Sequence, residues 1–529
     1  MANKISTPIL NPIKKLTKNS DINVLKIKTE RNNLGALKTF LVVLLIAIQA
    51  AVLLMSYLYL MWLFQSFVII SFGLSLVTCI YVLSTNKNSQ SKPIWILFLL
   101  LFFGFSYVIY LISDERFFWH RHKKQYNKIL EKSNKFAPDN KIEKASIQVK
   151  SDCSYLQSAG NFVSYTNTDT KYFSSGTKLF DSILKDLKNA KQFIFIEYFI
   201  ISDGVLLERF LNILQQKVQQ GVDVRIIYDD LGSHGTFKRK TKQRIKKAGI
   251  KLFAFNKLLP RFNALLNYRD HRKIVVIDGK VAYTGGANLA DEYINEKRAH
   301  GYWKDAGIRL EGAGVDGFSL IFLRQWEFVT KQPVEFDKYL NKYAKTTNTN
   351  LVVPYADGLE YPDNIGKNAY LNMIANANKK LYIMSPYFII DDTIKNLLIN
   401  KAKSGVDLRI ILPDIADKKF VYVISRNNAE KLLQYGIKVY TIKNSFVHSK
   451  VMLNEHSAIV GSINMDLRSF YQQFESALYL NDPTTMAQIE DDFTAVFNTC
   501  TQISGKNLKR NRLSFRIIAG IMNIISPFM

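Results

Sequence analysis

KQFIFIEYFIISD, Lys191–Asp203, and KLYIMSPYFIIDD, Lys380–Asp392, are two versions of one pattern. Each reads as a strand, and each is followed by a helical stretch. A second strand then opens with Gly-Val-Asp, as GVDVRIIYDD from Gly221 and GVDLRIILPD from Gly405. A third β-like run follows, GIKLFAF from Gly249 and GIKVYTI from Gly436, and then a His-x-Lys motif, His271-Arg272-Lys273 and His448-Ser449-Lys450. The landmarks recur in one order at offsets of 177 to 189 residues. Ordered self-similarity of this kind marks an internal repeat. Strands alternating with amphipathic helices mark an α/β fold. The expectation is two similar α/β lobes, at about 155–335 and 345–500.

The rest of the 529 residues is organised around those lobes. Thr39 to Asn86 carries no charged residue, and neither does Pro93 to Ser113. The first run would make about 72 Å of helix, too long for one bilayer crossing and right for two. Three spans are expected in 36–114, near 37–56, 61–83 and 93–113. Residues 1–35 read as a basic polar tail, 115–154 as a basic connector, and 505–529 as a basic amphipathic segment. Three spans create a conflict. Lys4, Lys14, Lys15, Lys18, Lys26, Lys28 and Arg31 precede them, and Arg116, Arg121, Lys123, Lys124 and Lys128 follow. The positive-inside rule wants both flanks in the cytoplasm, but an odd number of crossings separates them. Either one segment turns back, with Tyr57–Leu60 a candidate, or one flank loses. A multi-pass protein of the cell membrane with cytoplasmic lobes is the expectation.

Lys and Arg number 71 against 44 Asp and Glu, a formal charge of +27, so an anionic partner is expected. With 48% hydrophobic residues the chain cannot be wholly disordered. Its three cysteines, Cys79, Cys153 and Cys500, have neither disulfide-framework nor zinc-ligand spacing.

The chemistry sits in HRKIVVID, His271 to Asp278, with GGAN ending at Asn288, and in HSKVMLNE, His448 to Glu455, with GSIN ending at Asn464. His and Lys two apart on a strand share a face. On that face Lys273 and Lys450 neutralise phosphate oxygens, Asn288 and Asn464 donate hydrogen bonds, and the histidines attack phosphorus or carry a proton. Two half-sites put a histidine on each side of one phosphate. Lysines do the charge work, so no metal and no cofactor is called for.

HxKxxxxD followed by G-G/S-x-N, present twice, resembles the phospholipase D superfamily. Glu197–Ile200, the run from Asn267 to Tyr293, YWKDAGIRLEG from Tyr302, NMDLRSF from Asn464 and Phe474-Glu475 narrow the resemblance to bacterial cardiolipin synthases, over about residues 60 to 529. The resemblance implies two lobes about a pseudo-two-fold axis with the active site between them. It also implies a phosphatidyltransferase that joins two phosphatidylglycerols and releases glycerol. His271 would be the nucleophile and His448 the general acid and base. A nucleophilic histidine needs an acceptor on its other nitrogen. By position after each motif, Asp305 is expected to serve His271 and Glu475 to serve His448. The second motif departs from the pattern, since either Asn454 or Glu455 stands where the first has Asp278. Asp278 and Glu455 are counted with the catalytic residues, in the supporting rather than reacting part that the resemblance implies, and activity is expected to survive the change.

The rival readings are hydrolysis, of phospholipid or of nucleic acid, and a catalytically weakened membrane protein that binds anionic lipid. Membrane spans argue against a nucleic-acid substrate, and nothing fixes the oligomeric state. Asp229, Asp230, His234, Arg426 and Arg468 are lesser candidates for the cleft, and His120 and His122 read as interfacial.

Overall fold

A computed structural model describes residues 39–57, 61–85, 91–113, 115–138, 145–258, 268–298, 301–344 and 346–503. The tail expected at 1–35 and the segment at 505–529 lie outside the described residues. The chain forms two compact units. One holds the apolar helices up to Ser113 and the other holds the repeat.

In the first unit, α1 (Thr39–Tyr57) and α2 (Met61–Ser84) are long and apolar enough to cross a membrane. The third expected span is not one helix. It is divided into α3 (Lys92–Leu101) and α4 (Ser106–Ser113), with turns over Phe103–Phe105. Gly104, a poor helix former, sits in the break. A Cβ on it would come within 2.8 Å of the Gln49 amide from α1.

In the second unit each half of the repeat builds a sheet, and the two sheets have the same strand order. The first runs Thr168–Phe173, Gly307–Gly312, Val281–Gly285, Lys273–Ile277, Phe193–Tyr198, Asp223–Asp229, Lys251–Phe255. The second runs Val352–Asp357, Gln473–Leu480, Ala458–Gly461, Val451–Asn454, Lys380–Met384, Asp407–Pro413, Lys438–Ile442, with Thr501–Gln502 added at its edge. The last three strands of each seven are parallel, and the rest are antiparallel. The central strand Phe193–Tyr198 is buried at every residue, as expected for a strand covered on both faces. Helix Gly176–Lys188 supports it. Ser175 caps its N-terminus, and Leu179, Phe180, Ile183 and Leu187 form its buried stripe.

Two short parallel ladders stitch the lobes together. Arg269–Asp270, just before His271, pairs with Gln473–Phe474 of the second lobe. Ser445–Val447, just before His448, pairs with Tyr302–Lys304 of the first. The backbone continues both: His271 N–H donates to the Phe474 carbonyl at 2.8 Å and His448 N–H to the Lys304 carbonyl at 2.7 Å. The expected connector is substantially helical, at Glu115–Asn134 and Ile147–Gly160. Asp152 on the latter accepts hydrogen bonds from Asn376 and Tyr479, which ties it to the second lobe.

Candidate active site

The reciprocal ladders decide which acid meets which histidine. Phe474 is fixed beside His271, so the next residue, Glu475, reaches the ring: Nδ1 lies 2.9 and 3.0 Å from its two oxygens. Lys304 is fixed beside His448, so Asp305 reaches that ring, with Nδ1 2.8 Å from Oδ2. The pairing expected from sequence is thus exchanged. Each histidine takes its acid from the opposite lobe, because the strand that follows each motif in its own lobe is bonded across the cleft.

The two acids are held differently. Asp305 Oδ1 accepts the Ala306 N–H at 2.8 Å. Gly286 lies against it, and a Cβ there would come within 2.2 Å of Asp305 and 2.9 Å of the His448 carbonyl. The second lobe has Ser462 at the matching place, and its hydroxyl donates to Glu475. Ser469 donates to the other oxygen at 2.8 Å. The longer acid leaves room for a side chain, and that side chain is a hydrogen-bond donor.

The cluster is deeply buried, with His271 6% and His448 7% exposed. His271, like His448 and Lys450, lies in the segment that leads into a strand, and Lys273 opens its strand. Lys450 Nζ is 3.0 Å from His448 Nε2. Burial holds His271 well below the usual histidine range, with Lys273, Lys450 and His448 adding to the effect. Burial and then Lys450 bring His448 down to about 4, against the pull of Asp305. Burial lowers Lys273 to about 7 and Lys450 to about 8. Burial pushes Glu475 up to about 8, with Lys273 and the two serine hydroxyls working against it. Glu475 and His271 are joined by this hydrogen bond and titrate as a pair. Burial beside Lys273 and Lys450 holds both imidazoles neutral at neutral pH, while Lys450 keeps its charge there.

Asn288 is fixed by the Ile200 N–H, which donates to it at 3.1 Å, and by its own bond to the Tyr293 hydroxyl at 2.6 Å. Asn464 is buried at the matching place. Tyr293, Trp303 and Phe446 surround the His448 ring, with centroids 5.3, 5.5 and 5.9 Å away. Phe199 meets the His271 ring edge-on at 4.9 Å. These aromatics and the two serines carry no spacing signal of their own, although Phe199, Tyr293, Trp303, Ser462 and Ser469 all lie inside the quoted motif runs.

Asp278 and Glu455, which the sequence placed among the catalytic residues, are not beside the histidines. Asp278 accepts from the backbone N–H groups of Lys191, Gln192 and Phe193 at 2.7–2.9 Å. Glu455 does the same for Asn378, Lys379 and Lys380. Seven residues of extended chain separate each from its histidine, about 23 Å at ~3.3 Å per residue. The open choice between Asn454 and Glu455 is resolved. Glu455 takes the Asp278 role, and Asn454 closes a turn by accepting from His456 and Ser457.

The lesser candidates divide. Asp229 braces its own turn through Leu231 and Gly232 and accepts the Asp270 N–H, and Asp230 accepts from Leu258. Arg426 pairs with Glu430. His122 packs against Phe328, and His234 is half-buried without a bond to the cluster among the described contacts. Arg468, next to Ser469, is half-buried, and its charge depresses His271. Arg272, inside the first motif, is fully buried. It donates to the carbonyls of Glu475 and Asp357 and to Glu360, which locks the lobes together behind His271.

Known proteins agree with this architecture. The family model described as cardiolipin synthase, PLD-like domain, matches twice, at residues 183–301 and 370–497. A cardiolipin synthase 2 of Bacillus cereus is 31% identical over 86% of this chain and 90% of its own. A cardiolipin synthase of Staphylococcus aureus is 34% identical over 69% of this chain and 74% of its own. The crystal structure of a phosphatidylserine synthase from Haemophilus influenzae superposes with a TM-score of 0.56 at 15% identity, covering 72% of this chain and 98% of that one, and so shares the fold. By the double motif, the paired sheets and these similarities, the chain belongs to the cardiolipin synthase family.

Proposed function

We propose that the protein is a membrane-bound phosphatidyltransferase that makes cardiolipin from two phosphatidylglycerols and releases glycerol. One observation carries this reading: two buried histidines, each oriented by a carboxylate from the opposite lobe, share a pocket with two lysines.

The steps follow from the roles available. Glu475 holds the proton on His271 Nδ1, which leaves the Nε2 lone pair for phosphorus. Entry of the phosphodiester offsets the lysine charges that depress His448, so its pKa rises and it can hold a proton. His271 attacks phosphorus, the bond to the glycerol oxygen breaks, and His448 donates its proton to that oxygen. The phosphatidyl group is now on His271. The hydroxyl of a second phosphatidylglycerol loses its proton to His448 and attacks phosphorus. The P–N bond breaks and His271 is restored. Lys273, Lys450, Asn288 and Asn464 hold the phosphate oxygens where charge develops.

The enzyme works as a multi-pass protein of the cell membrane with its lobes in the cytoplasm. Its positive charge concentrates anionic lipid at the surface. Purified protein in phosphatidylglycerol vesicles should yield cardiolipin and glycerol in equal amounts, and a His271→Ala variant should yield neither. Phosphatidic acid in place of cardiolipin would assign hydrolysis instead.

A further inference from the structure

The apolar run from Pro93 to Ser113 was expected to cross the bilayer. Its contacts say otherwise. Lys92 Nζ donates to the Leu83 carbonyl at 3.0 Å, so α3 starts beside the end of α2 and runs back along it. By Phe103 it has reached the middle of α2: Ser75 Oγ donates to the Phe103 carbonyl at 3.0 Å, and Phe72 meets Phe103 edge-on. A continuous helix would carry Tyr110 on towards the start of α2. That is about 24 Å from Tyr81 and about 22 Å along the axis from Trp95, at ~1.5 Å per residue. Instead the Tyr110 ring lies 6.3 Å from Tyr81 and 4.9 Å from Trp95. The chain has turned round and come back.

We infer that α3 and α4 form a re-entrant hairpin, so that the chain crosses the membrane twice and the segments before Thr39 and after Ser113 leave it on one face. The inference rests on the membrane reading of this unit and not on the chemistry of the lobes. Each arm is about half a bilayer long, ten and eight residues against the ~20 needed to cross.

Irregular backbone at that depth survives only where protein satisfies it, and several groups flanking the turn have such partners. Phe102 N–H reaches the Phe98 carbonyl, Ser106 N–H the Phe102 carbonyl, and Ile109 N–H the Phe105 carbonyl. Ser106 Oγ donates to the Leu99 carbonyl at 3.3 Å. Ser75 and Ser106 are fully buried, and Gln49 from the middle of α1 packs on Gly104. Polar residues in the middle of apolar helices are costly, and these converge on the turn.

The topology removes the charge conflict. With two crossings the basic tail, Lys87, Lys92 and the Arg116–Lys128 cluster fall on one side, and the uncharged Leu58–Leu60 link falls on the other. The positive-inside rule makes the first side cytoplasmic. The lobes then draw their lipid from the cytoplasmic leaflet.

The test uses full-length protein with Cys79, Cys153 and Cys500 replaced by alanine and cardiolipin synthesis retained. Single changes Asn19→Cys, Leu58→Cys, Asn88→Cys and Asn140→Cys would be probed with a membrane-impermeant maleimide in vesicles of both orientations. Asn19, Asn88 and Asn140 should label from one face and Leu58 from the other. Labelling of Asn88 and Asn140 from opposite faces would establish a third crossing and overturn the inference. A short bismaleimide should also join the pair Trp95→Cys and Tyr110→Cys, and no cross-link in a protein that still turns over would count equally against the hairpin.

Discussion

His271 and His448 are alike in sequence and differ in surroundings. His271 faces Phe199 and a carboxylate fed by two serine hydroxyls, whereas His448 is ringed by three aromatics and touches Lys450. Since the acids are exchanged between lobes, Glu475→Gln should act on the nucleophile and Asp305→Asn on the proton carrier. Glu475→Gln should slow the first release of glycerol by about 10²-fold or more, the scale of a misoriented catalytic base. Asp305→Asn should slow transfer to the acceptor as well. Single-turnover measurement of glycerol and cardiolipin separates the two, and equal effects on both steps from both variants would contradict the exchange. The lysines set a pH limit. Lys273 and Lys450 are charged below about 7 and about 8 and lose that charge as pH rises through those values. In the free enzyme kcat/KM should therefore fall on the alkaline side over that window. A plateau up to pH 10 would show that the lysines keep their charge.

At the scale of elements, the strands that carry the motifs are anchored at their far ends by Asp278 and Glu455, each capping three backbone N–H groups. Removing Asp278 leaves the buried Phe193 N–H and two partly buried donors unpaired, at about 1–3 kcal/mol for the site. Asp278→Ala should lower stability by about that amount, with a smaller effect on kcat than any histidine or lysine change. Glu455→Ala should cost less, because its side chain is more exposed. Denaturant titration beside turnover checks both, and a collapse of kcat in a stably folded Glu455→Ala variant would contradict the anchoring role. Much of this was legible in the sequence. The repeat predicted two sheets of one topology, and the motif pair predicted which lysines lie by the histidines. The acid pairing was not legible. It depends on ladders of two and three residues between lobes, Arg269–Asp270 with Gln473–Phe474 and Ser445–Val447 with Tyr302–Lys304, and such ladders have no periodicity to read. The break in the third apolar run was hidden for a similar reason. Composition from Pro93 to Ser113 is uniformly apolar, and only the contacts of Tyr110 reveal that the helix has reversed.

At the scale of the whole molecule, the chain joins an apolar unit rich in buried serine to a basic catalytic unit built twice over. The duplication gives the chemistry two histidines, and the exchange of strands makes each lobe necessary to the other. Neither half-site is complete within its own half of the repeat. The central claim is that a phosphatidyl group is carried covalently on His271. The direct measurement is to mix full-length protein with phosphatidylglycerol labelled in its acyl chains, quench under alkaline conditions and map the labelled peptide by mass spectrometry. Label on His271, accumulating when Asp305→Asn slows transfer and absent from His271→Ala, is the predicted result. Label on His448, or cardiolipin formed by His271→Ala, would contradict the account.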